Sequence, residues 1–390
     1  VLDRIIDAIT HSGQAMHRAM ANSFMLSADN AHATHPSFPQ KADPCAPVHM
    51  GEGVVVKYNA SQKYTTNAVS GAIFRAICEK ADVPVQVFTN RADEAGGSTL
   101  GNLMCCLLAW LSAKSKGGQV LLRIEDLDTQ RCPRAYADAI IDDLAWLGLA
   151  ADGPEPPIYQ SERSAIYQQY FDELTRRGLV YPCFCSRSQL HAASAPHRSD
   201  GQVVYAGTCR GLTPAEIAVR TKTRAPAWRV QVPDEVIAFE DGHMGHYAEN
   251  LARDCGDFYL RRADGVFAYQ LAVVVDDALM GVDEVVRGSD LLSSTPRQLW
   301  LYRELGLTAP KFYHLPLLLA PDGRRLSKRD GDQSLENLRE KYTAGEIIGK
   351  LAFACNLQPK PTPTTPQELA RTFDWARVPK SDILLPEKLF

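Results

Sequence analysis

A chain of 390 residues with 45% hydrophobic and 23% charged residues has the composition of an ordinary globular protein of two or three domains. Its 42 basic and 46 acidic residues leave a net charge of −4, so any nucleic-acid partner has to meet local basic patches rather than a basic surface. No apolar run is long enough to span a membrane as a helix, and the opening VLDRIIDAIT mixes charges into an amphipathic pattern unlike a secretory leader.

The ten cysteines fit a reducing cytoplasm, as thiols or metal ligands rather than disulfides. Val1 in first place points to a fragment. Along the chain, residues 1–20 predict a helix and 23–27 a strand. Asp29, His32 and His35 follow in a polar loop, where they are either metal ligands or solvated side chains. GVVVKY at 53–58 predicts a strand, 67–80 a helix and 83–88 a second strand, which is α/β alternation. Gly96-Gly97-Ser98 then approaches a helix over 100–116, apolar nearly all round, with Ser98 or Thr99 able to cap it.

Residues 119–124 are a short apolar run of the buried parallel-strand kind. Glu125, Asp126 and Asp128 lie at its carboxyl end, where open α/β sheets place ligand sites. Helices are predicted over 135–147 and 161–177, each ended by a glycine. Cys183 and Cys185, with Tyr205 and Cys209, are either a tetrahedral metal site or buried small thiols, with His191 and His197 as further ligand candidates. Strands are predicted over 224–232, 236–241 and 257–261. FAYQLAVVVD at 267–276 predicts a long strand or a strand–helix junction. Tyr269 and Arg287 are the polar residues of interest there, read otherwise as a core aromatic and a surface ion pair. A helix over 295–305 precedes the basic loop GRRLSKRD at 323–330, and helices over 334–342 and 344–355 follow it. QPKPTPTTP at 358–366 reads as a linker before a C-terminal tail.

LGN at 100–102, LLRIEDLD at 121–128, YQLAVVVDDALMGVDEVVRGSDLL at 269–292 and RRLSKRDG at 324–331 resemble the catalytic core of class I glutamyl-tRNA synthetases. The likeness is greatest to the short glutamyl-queuosine tRNA(Asp) synthetases, and no anticodon-binding domain is expected after the core. SADNAHATHP at 27–36 and NRADEAGGSTLGN at 90–102 resemble the two-metal aspartyl aminopeptidase family, so the chain reads as a chimera with its seam at LGN. The fold implied is α/β: a class I Rossmann-type core with a small zinc-binding insertion, preceded by an incomplete aminopeptidase-like α/β segment. The implied divisions are 1–99, the two catalytic halves 100–182 and 241–318, a zinc-binding insertion 183–240, signature loop and helices 319–357, and a linker with tail 358–390.

The first resemblance implies roles. Glu125 receives the amino group of glutamate, Tyr269 and Arg287 hold it, and Arg287 takes the side-chain carboxylate. Gly101, Asn102, Leu326, Ser327, Lys328 and Arg329 contact ATP, and Lys328 is catalytic, stabilising the phosphates as they separate. Cys183, Cys185, Tyr205 and Cys209 hold a structural zinc ion, and Mg²⁺ accompanies ATP. The partners implied are glutamate, ATP and tRNA(Asp) carrying queuosine, met by a cytoplasmic monomer. The second resemblance implies that Asp29 is a vestigial metal ligand and His32 a vestigial active-site histidine, in a segment without the family's other ligands. The pattern departs at the seam: Thr99 stands where the phosphate-binding histidine of the synthetases belongs, and the upstream glutamate-binding strand is replaced. Impaired activity is therefore expected, or an inactive binder of ATP and tRNA, or an aminopeptidase fragment. The borrowed strand 83–88 is expected to ladder with 119–124.

Overall fold

The structure, a computed structural model, describes residues 54–58, 76, 78–83, 85–89, 99–129, 132–153, 156–185, 204–205, 207–324, 326, 335–386 and 389–390. It divides into two compact units, Val1–Ala95 and Gly96–Phe390. The helix expected over 1–20, the strand over 23–27 and the Asp29–His32–His35 loop lie outside the described residues, as do Ser327, Lys328 and Arg329.

In the first unit, β1 (Val54–Tyr58) pairs in parallel with β2 (Val85–Thr89), Val54 opposite Val85 and Tyr58 opposite Thr89. Both are β-branched runs, and a parallel pair requires the intervening chain to cross over. Among the described residues, each strand of the ladder expected between 83–88 and 119–124 has another partner. Val85–Thr89 has its ladder with Val54–Tyr58, and β3 (Arg123–Ile124) has its own with β4 (Ile158–Tyr159).

In the second unit, α1 (Leu100–Ser115) begins at Thr99, whose Oγ1 accepts from the Asn102 amide at 3.4 Å. Leu100, Leu103, Met104, Leu107, Leu108 and Leu111 are at most 1% exposed, so this helix is the centre of one hydrophobic core. Truncating one such leucine costs about 2–5 kcal/mol. The strand expected over 119–124 shrinks to Arg123–Ile124 because a loop carboxylate takes the backbone of Val120. Its amide donates to Asp152 Oδ2 at 2.8 Å, and its carbonyl accepts from the Asp152 amide at 2.7 Å.

Helices α2 (Arg134–Trp146) and α3 (Ser164–Arg176) follow where the apolar periodicity placed them. An antiparallel sheet then joins β5 (Val180–Cys183), β6 (Ala227–Val230) and β9 (Phe258–Arg261), with the short helix α4 (Pro214–Thr221) and the hairpin β7 (Val236–Asp241) and β8 (Gly245–Asn250) between. The apolar run at 267–276 is the second of the two expected alternatives, a strand–helix junction, rather than a long strand. Phe267 makes one bridge to Arg261, and α5 (Tyr269–Leu279) starts two residues later. Leu271 to Val275 are all buried, so the helix is apolar all round, and period alone cannot separate such a helix from a buried strand.

β10 (Glu284–Gly288) pairs in parallel with β11 (Lys311–Leu315), and α6 (Thr295–Glu304) lies between them in sequence. Among the described residues the parallel strands form separate pairs rather than one continuous sheet. After β12 (Leu318–Leu319), α7 (Leu335–Lys341) and α8 (Ala344–Ala354), the segment expected as linker and tail is firmly packed. α9 (Pro366–Ala370) and the buried Leu369, Val378, Ile383, Leu385 and Leu389 belong to the α1 core, and β13 (Ile383–Leu384) pairs with β12. A Cβ on Gly349 of α8 would meet the Thr362 carbonyl oxygen at 2.0 Å, so the proline-rich turn needs that glycine to dock.

Candidate functional site

Glu125 leaves the end of β3, Tyr269 opens α5 and Arg287 sits in β10. The fold brings the three together. Arg287 Nη1 donates to Tyr269 Oη at 3.4 Å. Burial raises the Tyr269 phenol, the Arg287 charge works against that, and the Glu125 charge adds to it. Glu125 is fixed by Arg123 at 3.0 Å, and Arg123 also donates to Asp277 of α5 at 2.6 Å. The neighbouring Asp276, fully buried, accepts from Gln160, Arg163 and Tyr167 at 2.7–2.9 Å. The VVVDD sequence therefore anchors α5 through two carboxylates facing β3 and α3.

Arg287 is only 8% exposed, yet its partners are all neutral acceptors. Nε donates to His314 Nε2 at 3.0 Å, and Nη2 donates to Thr295 Oγ1 at 2.7 Å and to the Leu291 carbonyl at 3.5 Å. Among the described residues no carboxylate lies within ion-pair distance of it. His314, fully buried, turns its Nδ1 to Asp241 Oδ2 at 2.6 Å. Asp241 Oδ1 accepts from the amides of His243, Met244 and His314. Those hydrogen bonds outweigh the burial that would raise the Asp241 carboxyl and hold it below its ordinary value. Burial and the Arg287 charge together lower the His314 imidazole, against the Asp241 bond that raises it. The imidazole is therefore neutral with its proton on Nδ1, which leaves Nε2 as the acceptor Arg287 needs. Sequence reasoning missed Asp241, His314 and Thr295. Arg287 and His314 are direct neighbours only because β10 and β11 pair in that register.

The phosphate end is sparser. Gly101 and Asn102 stand in the first turn of α1, where backbone N–H groups favour anions, but Thr99 Oγ1 already takes the Asn102 amide. Leu326 packs against the α1 core.

The cysteines converge as expected. Cys183 of β5, Cys185 and Cys209 bring their sulfurs within 4.8 Å of one another. Tyr205 Oη lies 3.5 Å from Cys183 Sγ and 3.7 Å from Cys185 Sγ, and the Cys185 and Cys209 sulfurs are 3.6 Å apart. A tetrahedral zinc ion with bonds of about 2.3 Å spaces its ligand atoms about 3.8 Å apart, so three sulfurs and a phenol oxygen fit one. Burial pushes the Cys183 thiol up, but hydrogen bonds from Tyr205, the Cys185 amide and Arg229 win and leave it below the usual thiol value. Burial raises Cys185 to about 11. Tyr205 is held by its backbone bridge to Gly256, where a Cβ would meet the Tyr205 carbonyl oxygen at 2.7 Å and φ is +69°.

Known proteins fit this arrangement. Residues 89–352 match the family model for the catalytic domain of class I tRNA synthetases (E and Q), and residues 1–108 match that for the aminopeptidase I zinc metalloproteases (M18). The chain is 48% identical over 303 residues to a Glutamyl-Q tRNA(Asp) synthetase of Symbiobacterium thermophilum, covering 75% of this chain and 93% of the relative. It is 45% identical over 300 residues to one of Nitratidesulfovibrio vulgaris, with the same coverage of 75% and 93%. Among solved structures it resembles a glutamate tRNA ligase from Elizabethkingia meningosepticum in complex with its amino acid. There the TM-score is 0.64 and identity 28%, over 75% of this chain and 65% of that one. The chain belongs to the class I tRNA synthetases of the glutamate and glutamine type, which are ligases.

Proposed function

We propose that the chain activates glutamate with ATP, releasing pyrophosphate, and passes the glutamyl group to tRNA, specifically to the queuosine base of tRNA(Asp). The observation that carries this reading is Arg287: a buried guanidinium held only by neutral acceptors, beside Tyr269. A desolvated cation of this kind is a receptor for an anionic group, and a guanidinium fork suits a planar carboxylate. The glutamate side-chain carboxylate meets Arg287, its amino group meets Glu125, and Gly101, Asn102, Leu326, Ser327 and Arg329 line the ATP site. ATP enters as its Mg²⁺ complex. Lys328 places positive charge where the phosphates separate.

Cys183, Cys185, Tyr205 and Cys209 would hold zinc, which supplies cross-linking of the insertion rather than chemistry. The divisions 1–99, 100–182, 183–240, 241–318 and 319–357 belong to this proposal, as do a monomeric state and a cytoplasmic location. No helix among the described residues is long and apolar enough to cross a membrane.

Thr99 offers no phosphate-binding imidazole, so activity in this chain is impaired. A second reading, favoured by the match over 1–108, is that those residues are an aminopeptidase fragment in which Asp29 and His32 are vestiges of a metal site. Glutamate-dependent ATP–pyrophosphate exchange, followed by glutamate transfer to tRNA(Asp), tests the first reading. Release of N-terminal Asp or Glu from peptides without any exchange supports the second and sinks the first.

A further inference from the structure

We propose that Arg229 is the counter-cation and positioning residue of the Cys183–Cys185–Tyr205–Cys209 site, holding two ligands from two segments with one guanidinium. The inference rests on the zinc reading above and names the residue that makes the site work.

Arg229 is in β6, opposite Tyr181 of β5 and Tyr259 of β9, so the three side chains share one face of the sheet. It is 4% exposed. Its Nε donates to Cys183 Sγ at 3.4 Å, and its Nη1 donates to the Asp257 carbonyl. Its guanidinium carbon lies 3.8 Å from the centre of the Tyr205 ring and 3.7 Å from that of Tyr259. One side chain thus grips the sulfur of one ligand and the ring of another. Cys183 and Tyr205 are far apart in sequence, and Arg229 fixes them to the same strand.

The charge balance gives the grip its meaning. Among the described residues no carboxylate lies within ion-pair distance of Arg229. Asp257, whose carbonyl accepts from Arg229, spends its carboxylate on Tyr181, on the Arg210 fork at 2.6 and 3.0 Å, and on the Val232 amide at 2.9 Å. A buried cation facing only neutral groups is strongly disfavoured. Zinc supplies the missing partner, because a dication held by three thiolates carries one net negative charge. Without metal Arg229 strains the lobe; with metal it neutralises it. Lysine cannot replace it fully, because only a planar guanidinium stacks between two rings while donating sideways.

The test is zinc affinity of the full chain, measured by competition with a chromogenic chelator, together with urea unfolding of the zinc-loaded and zinc-stripped forms. The proteins are wild type, Arg229→Met, Arg229→Gln, Arg229→Lys and the exposed control Arg220→Met. Loss of an outer-shell partner weakens metal binding about 10- to 100-fold, so Met and Gln should show that loss, Lys a smaller one and the control none. The zinc-stripped Arg229→Met chain should be at least as stable as stripped wild type, although its loaded form is less stable. That crossing is not produced by a packing role. Equal zinc affinity in wild type and both uncharged variants overturns the proposal while leaving the metal site standing. So does an equal stability loss with and without zinc. A wild-type chain that yields its zinc to dialysis overturns the metal site and the role of Arg229 together.

Discussion

Two buried arginines organise this protein, and they are held in opposite ways. Arg229 is enclosed: a tyrosine ring on each face, a thiol at Nε and a carbonyl at Nη1. Arg287 is propped from behind by a neutral imidazole, a hydroxyl and a carbonyl, with only a 3.4 Å bond to the Tyr269 phenol on the side of Glu125. Neither has a carboxylate partner among the described residues. The anion each one waits for follows from its surroundings. An enclosed cation against thiols matches a fixed, permanently held anionic cluster. A propped cation beside the Glu125 carboxylate matches a small zwitterion that comes and goes.

The largest effect should come from dismantling the enclosed site. Cys183→Ala with Cys209→Ala removes two of the four proposed ligands, and zinc retained after exhaustive dialysis should fall from one per chain to none. Structural zinc binding is worth about 10–16 kcal/mol, so two remaining ligands cannot keep it. Zinc that survives points to Asp29 and His32 instead. Next in size is the defect at the phosphate end. Glutamate-dependent ATP–pyrophosphate exchange should be near-absent, at least about a hundred- to a thousandfold below that of the Symbiobacterium thermophilum relative, since removal of one transition-state donor alone has that effect. Lys328→Ala should lower it little further, because its partner across the phosphates is already absent. Exchange equal to the relative's removes the idea that Thr99 matters.

A smaller effect isolates the propping of Arg287. Asp241→Asn keeps the shape but presents an amide N–H to His314, which drives the imidazole proton to Nε2 and sets it against the Arg287 Nε–H. Leaving that buried donor unsatisfied costs about 1–3 kcal/mol, so glutamate affinity should fall roughly tenfold to a hundredfold while ATP affinity holds. Equal losses for both ligands mean a general collapse instead. The smallest effect is in pH. The native His314 resists protonation, whereas an unfolded histidine takes a proton near pH 6.5. Its contribution to stability is therefore present above about pH 6.5 and lost as pH falls below it. His314→Gln should flatten the urea-midpoint decline between about pH 7 and pH 5. An unchanged slope shows that His314 is not the group responsible.

The sequence carried the long elements well. The helices α1, α2, α3, α6 and α8 appear where their apolar patterns place them, as do the glycines that end α1, α2 and α3. Tyr269, Arg287 and the cysteines were legible as motif residues, and the structure brings each set together. Asp241, His314 and Arg229 were not, because their importance comes from strand register, which local pattern does not encode. The strand is shorter than the apolar run 119–124 implies because a single side chain, Asp152, competes for the backbone from 32 residues away. The proline-rich segment depends on distant residues for a related reason: its docking is set by Gly349 of α8 and by Trp375, whose Nε1 donates to Ser112 of α1 at 3.0 Å.

The central claim is that Arg287 is built for a carboxylate. Calorimetric titration of the wild-type chain with glutamate and with glutamine, its neutral isostere, tests it most directly. Glutamate should bind at least about tenfold more tightly, and Arg287→Gln should erase the difference, since a carboxylate bonded to a buried guanidinium loses on the order of 2–5 kcal/mol when that partner goes. Equal binding of the two ligands, or a preference for glutamate that survives Arg287→Gln, contradicts the account.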